Sequence, residues 1–208
     1  EAYPDDIIAI CKVGVNGGTS IFAWEKDHTR PGWEESLKEV RSFEKVFRPD
    51  GSTRKLYQEL IESTRTGLRL LKEREDVTEV ILCGMSWIQG EADGRSEQAS
   101  TAYGENLAKL IANVRQDLDK PDLIVLFQNT HIKNNPRYRN KIREGMQNIT
   151  AKDPRTGMVE NNDLPTYEGI HFDTKGIWEL GRRFADKFLE ISGKENGRRI
   201  SLGKKSRD

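Results

Sequence analysis

Short apolar runs alternate along this chain with longer segments whose apolar residues recur at helical spacing. The runs Ile7 to Val15 and Val77 to Gly84 are rich in branched residues and predict strands. Further strands are predicted at Asp122 to Gln128 and, more briefly, at Met158 to Glu160. Short buried strands that alternate with amphipathic helices are typical of an α/β domain with a parallel sheet.

Helical spacing of apolar residues predicts four helices, over residues 53–74, 101–118, 138–151 and 174–191. In the last of these, the residues predicted to face the core are Ile177, Leu180, Phe184 and Phe188. The charged stretch 25–52 is irregular and contains several Pro and Gly residues, although Trp33 to Phe47 could hold a helix.

Composition favours one domain over residues 1–192, because 208 residues with 35% hydrophobic content can build a single core. The polar, basic tail 193–208 is predicted to be a disordered end. Lys plus Arg and Asp plus Glu balance at 34 each, so neither nucleic acid nor a membrane surface is an expected partner.

The chain has only two cysteines and three histidines, so it offers few residues for a disulfide or a metal site. Cys11 and Cys83 each lie in an apolar strand-like run, which favours buried thiols over a disulfide. Because the histidines lack ligand spacing, a catalytic zinc site is not expected. His28 is interpreted as a surface residue and His131 as a loop residue.

The first candidate for chemistry is the loop Trp87 to Asp93 (WIQGEAD), which follows the predicted strand Val77 to Gly84. Open α/β sheets bind ligands at the carboxyl ends of their strands. The amide of Gln89 could donate a hydrogen bond to a developing oxyanion there. The alternative interpretation is a turn in which Gln89 and Glu91 cap local backbone groups.

The second candidate is the segment Glu168 to Asp173 (EGIHFD). Glu168 stands three residues before His171, a spacing that lets a carboxylate orient an imidazole and stabilise its protonated form. Asp173 or Thr174 is expected to cap the helix that follows.

Three blocks in this order resemble the SGNH hydrolase superfamily, and within it the sialate O-acetylesterase-like and acetylxylan-esterase-like carbohydrate esterases. The first block is Val15 to Ser20 (VNGGTS) followed by Trp24, the second is WIQGEAD, and the third is Gly169 to Asp173 (GIHFD) with the Gly176 helix behind it. The resemblance spans roughly residues 7 to 190.

The resemblance implies a three-layer, flavodoxin-like α/β/α fold and hydrolysis of O-acetyl esters on sugars, with no cofactor and no metal. By this resemblance a backbone N–H of Gly17 or Gly18 and the side chain of Gln89 form the oxyanion hole. The block residues Glu91, Trp87 and Trp24 are candidates for binding the sugar, although core packing explains a tryptophan equally well.

His171 matches the general base of this family. Glu168 falls where the family usually has Asp, so the charge is kept on an arm one methylene longer, and Asp163 is the alternative orienting carboxylate.

The nucleophile of the family is absent from this chain. Nothing in the chain matches the Gly-Gln-Ser turn that carries the serine, and neither Ser20 nor Ser86 lies on a strand-to-helix turn. Since the chain starts at Glu1 rather than methionine, we expect the nucleophile and the family's central strand, between Ile7 to Val15 and Val77 to Gly84, to lie upstream of Glu1.

Two alternatives stay open: an inactive carbohydrate-binding relative, or a fragment that another chain completes. Removal of an upstream segment would fit a secreted or periplasmic protein. The sugar, the ester position and the oligomeric state cannot be read from these patterns.

Overall fold

A computed structural model describes residues 6–15, 18–129, 137–168 and 171–195 of this chain. Its named elements are α1 (Trp33–Glu39), α2 (Phe43–Val46), α3 (Leu56–Lys72), β1 (Gly84–Trp87), α4 (Glu97–Asp117), β2 (Ile124–Gln128), α5 (Arg139–Lys152), β3 (Thr156–Val159), β4 (Thr166–Tyr167), β5 (His171–Phe172) and α6 (Thr174–Glu195). Two short 3₁₀ helices cover Ile21–Trp24 and Asp93–Arg95. The four predicted long helices are confirmed, with ends that shift by a few residues.

The central sheet has three parallel strands in the order β1-β2-β3. Trp87 pairs with Phe127, and Gln128 pairs with Val159, so the carboxyl ends of all three strands lie at one edge of the sheet. The parallel sheet predicted from the apolar runs is therefore confirmed.

Helices cover both faces of this sheet. Alternate residues of β2 point to opposite faces and contact different helices. Val125 and Phe127 join the large core that includes residues of α3 and α4, while Ile124 and Leu126 pack against Phe188 and its neighbours on α6. Every residue of β2 is buried, as expected for a strand covered on both faces. The result is the predicted three-layer α/β/α arrangement.

Helices α4 and α5 approach each other closely at a pair of glycines. A Cβ on Gly104 would lie 2.8 Å from the Cα of Gly145. The two backbones can pack at this distance only because neither residue has a side chain.

The strand predicted at Ile7 to Val15 is wrong, since residues 7–15 form no regular secondary structure. Ile8 and Ile10 are 71% and 87% exposed. Among the described residues, β1 pairs with β2 alone, so this segment has no neighbouring strand to supply ladder hydrogen bonds. The second predicted strand, Val77 to Gly84, is displaced for the same reason: pairing begins only at Gly84.

The prediction of buried thiols is also wrong. Cys11 and Cys83 are both free and exposed, because both lie in segments that no strand covers. The disulfide that the sequence disfavoured is not formed.

The core face of α6 is confirmed except at Ile177. Leu180 is buried, and Phe184 and Phe188 pack against core clusters, whereas Ile177 is 61% exposed. Ile177 shares the helix face of Phe184 and Phe188, but it lies in the first turn of α6, where no described element covers it. Of the predicted disordered tail 193–208, residues 193–195 extend α6 and the rest lie outside the described residues.

The segment between β3 and α6 contains a hairpin that the sequence patterns did not predict. Strands β4 and β5 pair antiparallel, with Tyr167 opposite His171. Asp173 caps α6, as expected, by accepting a hydrogen bond from the Gly176 N–H at 2.7 Å. A Cβ on Gly176 would lie only 2.3 Å from the carbonyl oxygen of Pro165, so a glycine is needed where the hairpin meets the helix.

Candidate active site

The side chain of Gln89 is held rigidly just beyond the carboxyl end of β1. Gln89 is buried, and its Nε2 donates to the carbonyl oxygen of Thr19 at 2.6 Å and to Oδ2 of Asp93 at 2.5 Å. Its buried Oε1 has no hydrogen-bond partner among the residues that the structure describes. Both N–H groups of this amide are thus engaged, and an oxyanion must share or replace one of their two acceptors.

Asp93 is the centre of this polar network, and the sequence patterns gave it no role. Its carboxylate is fully buried and accepts from the Ser20 hydroxyl at 2.5 Å and from the Ile21 N–H at 3.1 Å, besides Gln89. Burial raises the pKa of Asp93 to about 6, although these hydrogen bonds act in the opposite direction. Asp93 stands four residues after Gln89, and only the fold reveals that both face the Thr19 and Ser20 segment.

Two tryptophans from separate blocks pack under this network. The rings of Trp24 and Trp87 meet edge to face, with centroids 5.1 Å apart. Trp24 donates to the Thr19 hydroxyl at 3.0 Å, and Trp87 donates to the Tyr103 hydroxyl at 3.2 Å. Both rings are buried, so they serve to pack the loop and present no free face to a sugar.

Gly18 of the glycine block directly precedes Thr19. Gly18 is exposed and has a φ of 72°, a conformation that favours glycine. Gly17, the other oxyanion candidate, lies outside the described residues. Glu91 is half-buried beside the network, and burial raises the pKa of its carboxyl group.

His171 lies on β5, at the end of the hairpin, and is exposed. Its ring lies 5.7 Å from that of Tyr167, the residue opposite it. Glu168 begins the turn, with a φ of 54°, and is exposed as well. Within the described ranges, His171 makes no hydrogen bond to Glu168 or to any other carboxylate.

Asp163, the alternative carboxylate, is already paired. It accepts hydrogen bonds from both terminal nitrogens of Arg183, at 2.7 and 2.6 Å. The guanidinium holds the pKa of Asp163 at about 2. Arg183 also donates to the carbonyl oxygen of Glu160, so this ion pair ties α6 to the loop after β3.

The Gln89 network and the His171 hairpin lie at the same edge of the sheet. The first follows β1 and the second follows β3, with β2 between them. Phe172, next to His171 on β5, packs with Val159 at the end of β3, so the hairpin lies near the carboxyl end of that strand. No hydrogen bond joins the halves in the described part of the chain.

Neither serine considered from the sequence is hydrogen-bonded to His171 in the described part of the chain. Ser20 is fully buried and donates to Asp93. Ser86 is exposed on β1, and no hydrogen bond connects it to His171 over the described ranges. In those ranges no group of three or more His, Cys, Asp or Glu side chains is placed to hold a metal ion. None of the described helices has the length and apolar character that crossing a bilayer requires.

Comparison with protein families gives one match over most of the chain. The family described as "Carbohydrate esterase, sialic acid-specific acetylesterase" matches residues 4–190. This range contains both halves of the site, and it confirms the resemblance seen in the three sequence blocks.

A curated relative and two solved structures are similar to this chain. The probable carbohydrate esterase At4g34215 of Arabidopsis thaliana is 30% identical over 104 residues, which are 50% of this chain and 38% of that protein. The X-ray structure of the Arabidopsis thaliana protein AT4G34215 matches with a TM-score of 0.60 and 24% identity, over 84% of this chain and 58% of that chain. The crystal structure of NanS matches with a TM-score of 0.51 and 18% identity, over 73% and 59% respectively. The chain thus spans between about two fifths and three fifths of the length of these proteins, and at these identities the structures show a shared fold.

Proposed function

The chain belongs to the carbohydrate esterase, sialic acid-specific acetylesterase family, and on this premise we propose that it forms most of the active site of a serine-type esterase that removes acetyl groups from a carbohydrate. The observation that carries this proposal is the position of Gln89 and His171, which follow the two outer strands at the same edge of the sheet. A buried amide can donate to an oxyanion and an exposed imidazole can transfer a proton, and acyl transfer requires both roles.

In this proposal the Gln89 amide and a backbone N–H of Gly17 or Gly18 stabilise the oxyanion of the tetrahedral intermediate. The two hydrogen bonds from Nε2 to Thr19 and Asp93 fix the amide before the substrate arrives. A donor that is already oriented costs no reorganisation during the reaction. The oxyanion would become a third acceptor around Nε2, or would take the place of the Thr19 carbonyl oxygen.

His171 is proposed as the general base and Glu168 as its orienting carboxylate. The imidazole would take the proton of a serine hydroxyl as that oxygen attacks the acetyl carbon, and would return it to the departing sugar oxygen. Water would then hydrolyse the acetyl-serine and release acetate. Glu168 is preferred to Asp163 because Arg183 occupies both carboxylate oxygens of Asp163.

The serine is proposed to lie on a strand that pairs with the open edge of β1. Among the described residues this edge has no partner, and Ile81 beside it is 40% exposed. Strands of a parallel sheet are normally buried on both faces, and an unpaired edge leaves backbone N–H and C=O groups without partners. A strand between β1 and residues 7–15 would cover these apolar groups and would end at the carboxyl edge, near Gln89.

Labelling of the natural protein with a fluorophosphonate, followed by mass spectrometry, tests this proposal. We expect a labelled serine, and we expect His171→Ala to abolish the label because the serine then lacks its base. The matched control is His28→Ala, which alters a half-buried histidine whose ring centroid lies 4.8 Å from that of Trp33 and should leave labelling intact.

Three outcomes would contradict the proposal. Label at Ser20 or Ser86 would place the nucleophile elsewhere, and label that survives His171→Ala would remove His171 from the mechanism. An unlabelled protein that binds an acetylated glycan and releases it intact would instead be a carbohydrate-binding relative.

A further inference from the structure

The outer face of α6 carries an apolar surface that no described element covers. Trp178 is 76% exposed, and Ile177 beside it is 61% exposed. An open depression is lined by Ile177, Trp178, Gly181, Arg182 and Ala185. A tryptophan with this exposure is unusual on a soluble surface, and contiguous apolar patches commonly mark interaction sites.

The apolar residues of this face form one stripe along the helix. Trp178, Gly181, Ala185 and Leu189 follow one another at spacings of three, four and four residues and are all exposed. The opposite side of α6 packs on the sheet through Leu180 and its neighbours. Helical residues at such spacing share a face, so the stripe is a second apolar surface directed away from the domain.

Gly181 lies near the middle of the stripe and leaves space there. A Cβ built on Gly181 would have no atom within 4 Å. Among the described residues, no contact therefore requires a glycine at position 181, in contrast to position 176, where a Cβ would meet the Pro165 carbonyl oxygen. A small residue flanked by larger ones allows a second helix to approach closely at that point.

Charged residues line one side of the stripe in a self-complementary order. Lys175 and Asp186 lie six and five residues from Gly181, and Glu179 and Arg182 lie two and one residues from it. In an antiparallel helix pair, the same side of each helix faces its counterpart. With the crossing near Gly181, Lys175 of one copy would meet Asp186 of the other, and Glu179 would meet Arg182.

A parallel pair would place these charges against the apolar side that carries Ile177. In the single chain Arg182 pairs with Glu179 at 2.8 Å and with Asp186 at 2.5 Å. In a dimer these ion pairs would extend into one network between the two copies of α6. The charge order therefore selects an antiparallel arrangement of identical helices.

We propose that a second copy of this chain covers the outer face of α6, through an antiparallel α6–α6 contact with its twofold axis near Gly181. Trp178 of each copy packs against Ala185 of the other. The stripe from Trp178 to Leu189 extends over about 17 Å, at the 1.5 Å rise of a helix. A contact of this length is small for a specific interface, so the dimer dissociates in the micromolar range.

The test is sedimentation velocity of the complete protein over a range of concentrations that spans the micromolar region. The native protein should change from monomer to dimer, and Trp178→Glu should raise the dissociation constant about tenfold or more because it buries a charge at the contact. The matched control is Leu70→Glu, since Leu70 is 52% exposed on α3, outside the stripe. That variant should dimerise normally.

Charge reversal tests the antiparallel register independently of folding. Lys175→Glu and Asp186→Lys should each weaken the dimer several-fold, and the double variant should restore the native dissociation constant, because the new charges again face opposite partners. Circular dichroism of each variant verifies that α6 is intact.

Three outcomes would overturn the proposal. These are a monomer at every concentration, a dimer unaffected by Trp178→Glu, and two single charge reversals whose effects simply add in the double variant. A native protein that stays monomeric with Trp178 protected from a collisional quencher would show that another part of the molecule covers this face. None of these readouts depends on esterase activity.

Discussion

The carboxylate of Asp93 accepts a hydrogen bond of 2.5 Å from the side-chain amide of Gln89, with both groups buried. This contact fixes which way the amide points. Reversing it would set Oε1 against the carbonyl oxygen of Thr19 and the Asp93 carboxylate, and neither carries a hydrogen when Asp93 is ionised. The fold therefore holds the donor side of Gln89 in place through a charge that itself lies out of water.

Asp93 should make stability depend on pH between about 4 and 6. Its pKa is raised from 3.8 to about 6 in the folded protein, so the folded state keeps a proton that the unfolded state has lost in this range. The contribution of Asp93 to the free energy of unfolding is therefore fully present below pH 4 and is lost as pH rises through 6, by at most about 3 kcal/mol.

Other carboxylates titrate nearby, so the measurement is the difference between native protein and Asp93→Asn in urea unfolding at several pH values. The stability of the native protein relative to the variant should be greatest near pH 4 and should decline up to pH 7. A difference that stays constant over this interval would contradict the raised pKa.

Gln89→Ala should lower kcat for an aryl acetate about a hundredfold or more, with little change in KM, if the amide binds the oxyanion. Asp93→Asn should lower kcat less, because the amide remains but loses its charged acceptor. Gln58→Ala, which removes a half-buried amide on α3, is the control. Equal losses in all three variants would indicate a general effect on folding.

Glu168→Ala should lower esterase activity, whereas Asp163→Asn should retain it. Asp163 is bound by Arg183 and cannot turn to His171 without breaking that ion pair. Initial rates with the natural protein decide between the two carboxylates. The opposite pattern, with activity lost only in Asp163→Asn, would identify Asp163 as the orienting residue and require the Arg183 contact to open.

Gly104→Ala should destabilise the protein by about 1–3 kcal/mol, because the added methyl group would overlap Gly145 across the α4–α5 contact. Gly67→Ala on α3 provides the control, since nothing lies within 4 Å of its Cβ position. It should stabilise the protein by about 0.5–1 kcal/mol through helix propensity. Thermal unfolding of both variants gives the comparison, and a stable Gly104→Ala would mean that the two helices can separate.

The long helices and the strand Ile124–Gln128 could be predicted from the sequence, because their apolar spacing and local propensity agree with the tertiary contacts. The segment Ile7 to Val15 has an equally strong apolar pattern but forms no strand. A strand depends on hydrogen bonds from a neighbour, and the pattern of one segment cannot supply them.

Some residues of the candidate site could likewise be predicted from the sequence, and others could not. Gln89, His171 and Glu168 could be proposed from the sequence, since their residue types and their positions after strands point to acyl transfer. Asp93 could not, because its role arises from contacts with Ser20 and Ile21, more than seventy residues away. The ion pair between Asp163 and Arg183 could not be predicted from the sequence for the same reason.

The sequence by itself determined the α/β class and the family blocks, and it supplied the residues proposed for the reaction, because these follow from local periodicity and residue chemistry. The tertiary structure decided that Trp24 and Trp87 pack under the loop, that Ile177 and Trp178 face outward, and that a buried carboxylate orients Gln89. Burial and pairing depend on which distant segments come into contact. The free energies of desolvation and hydrogen bonding at the site therefore depend on tertiary contacts that the sequence patterns do not specify.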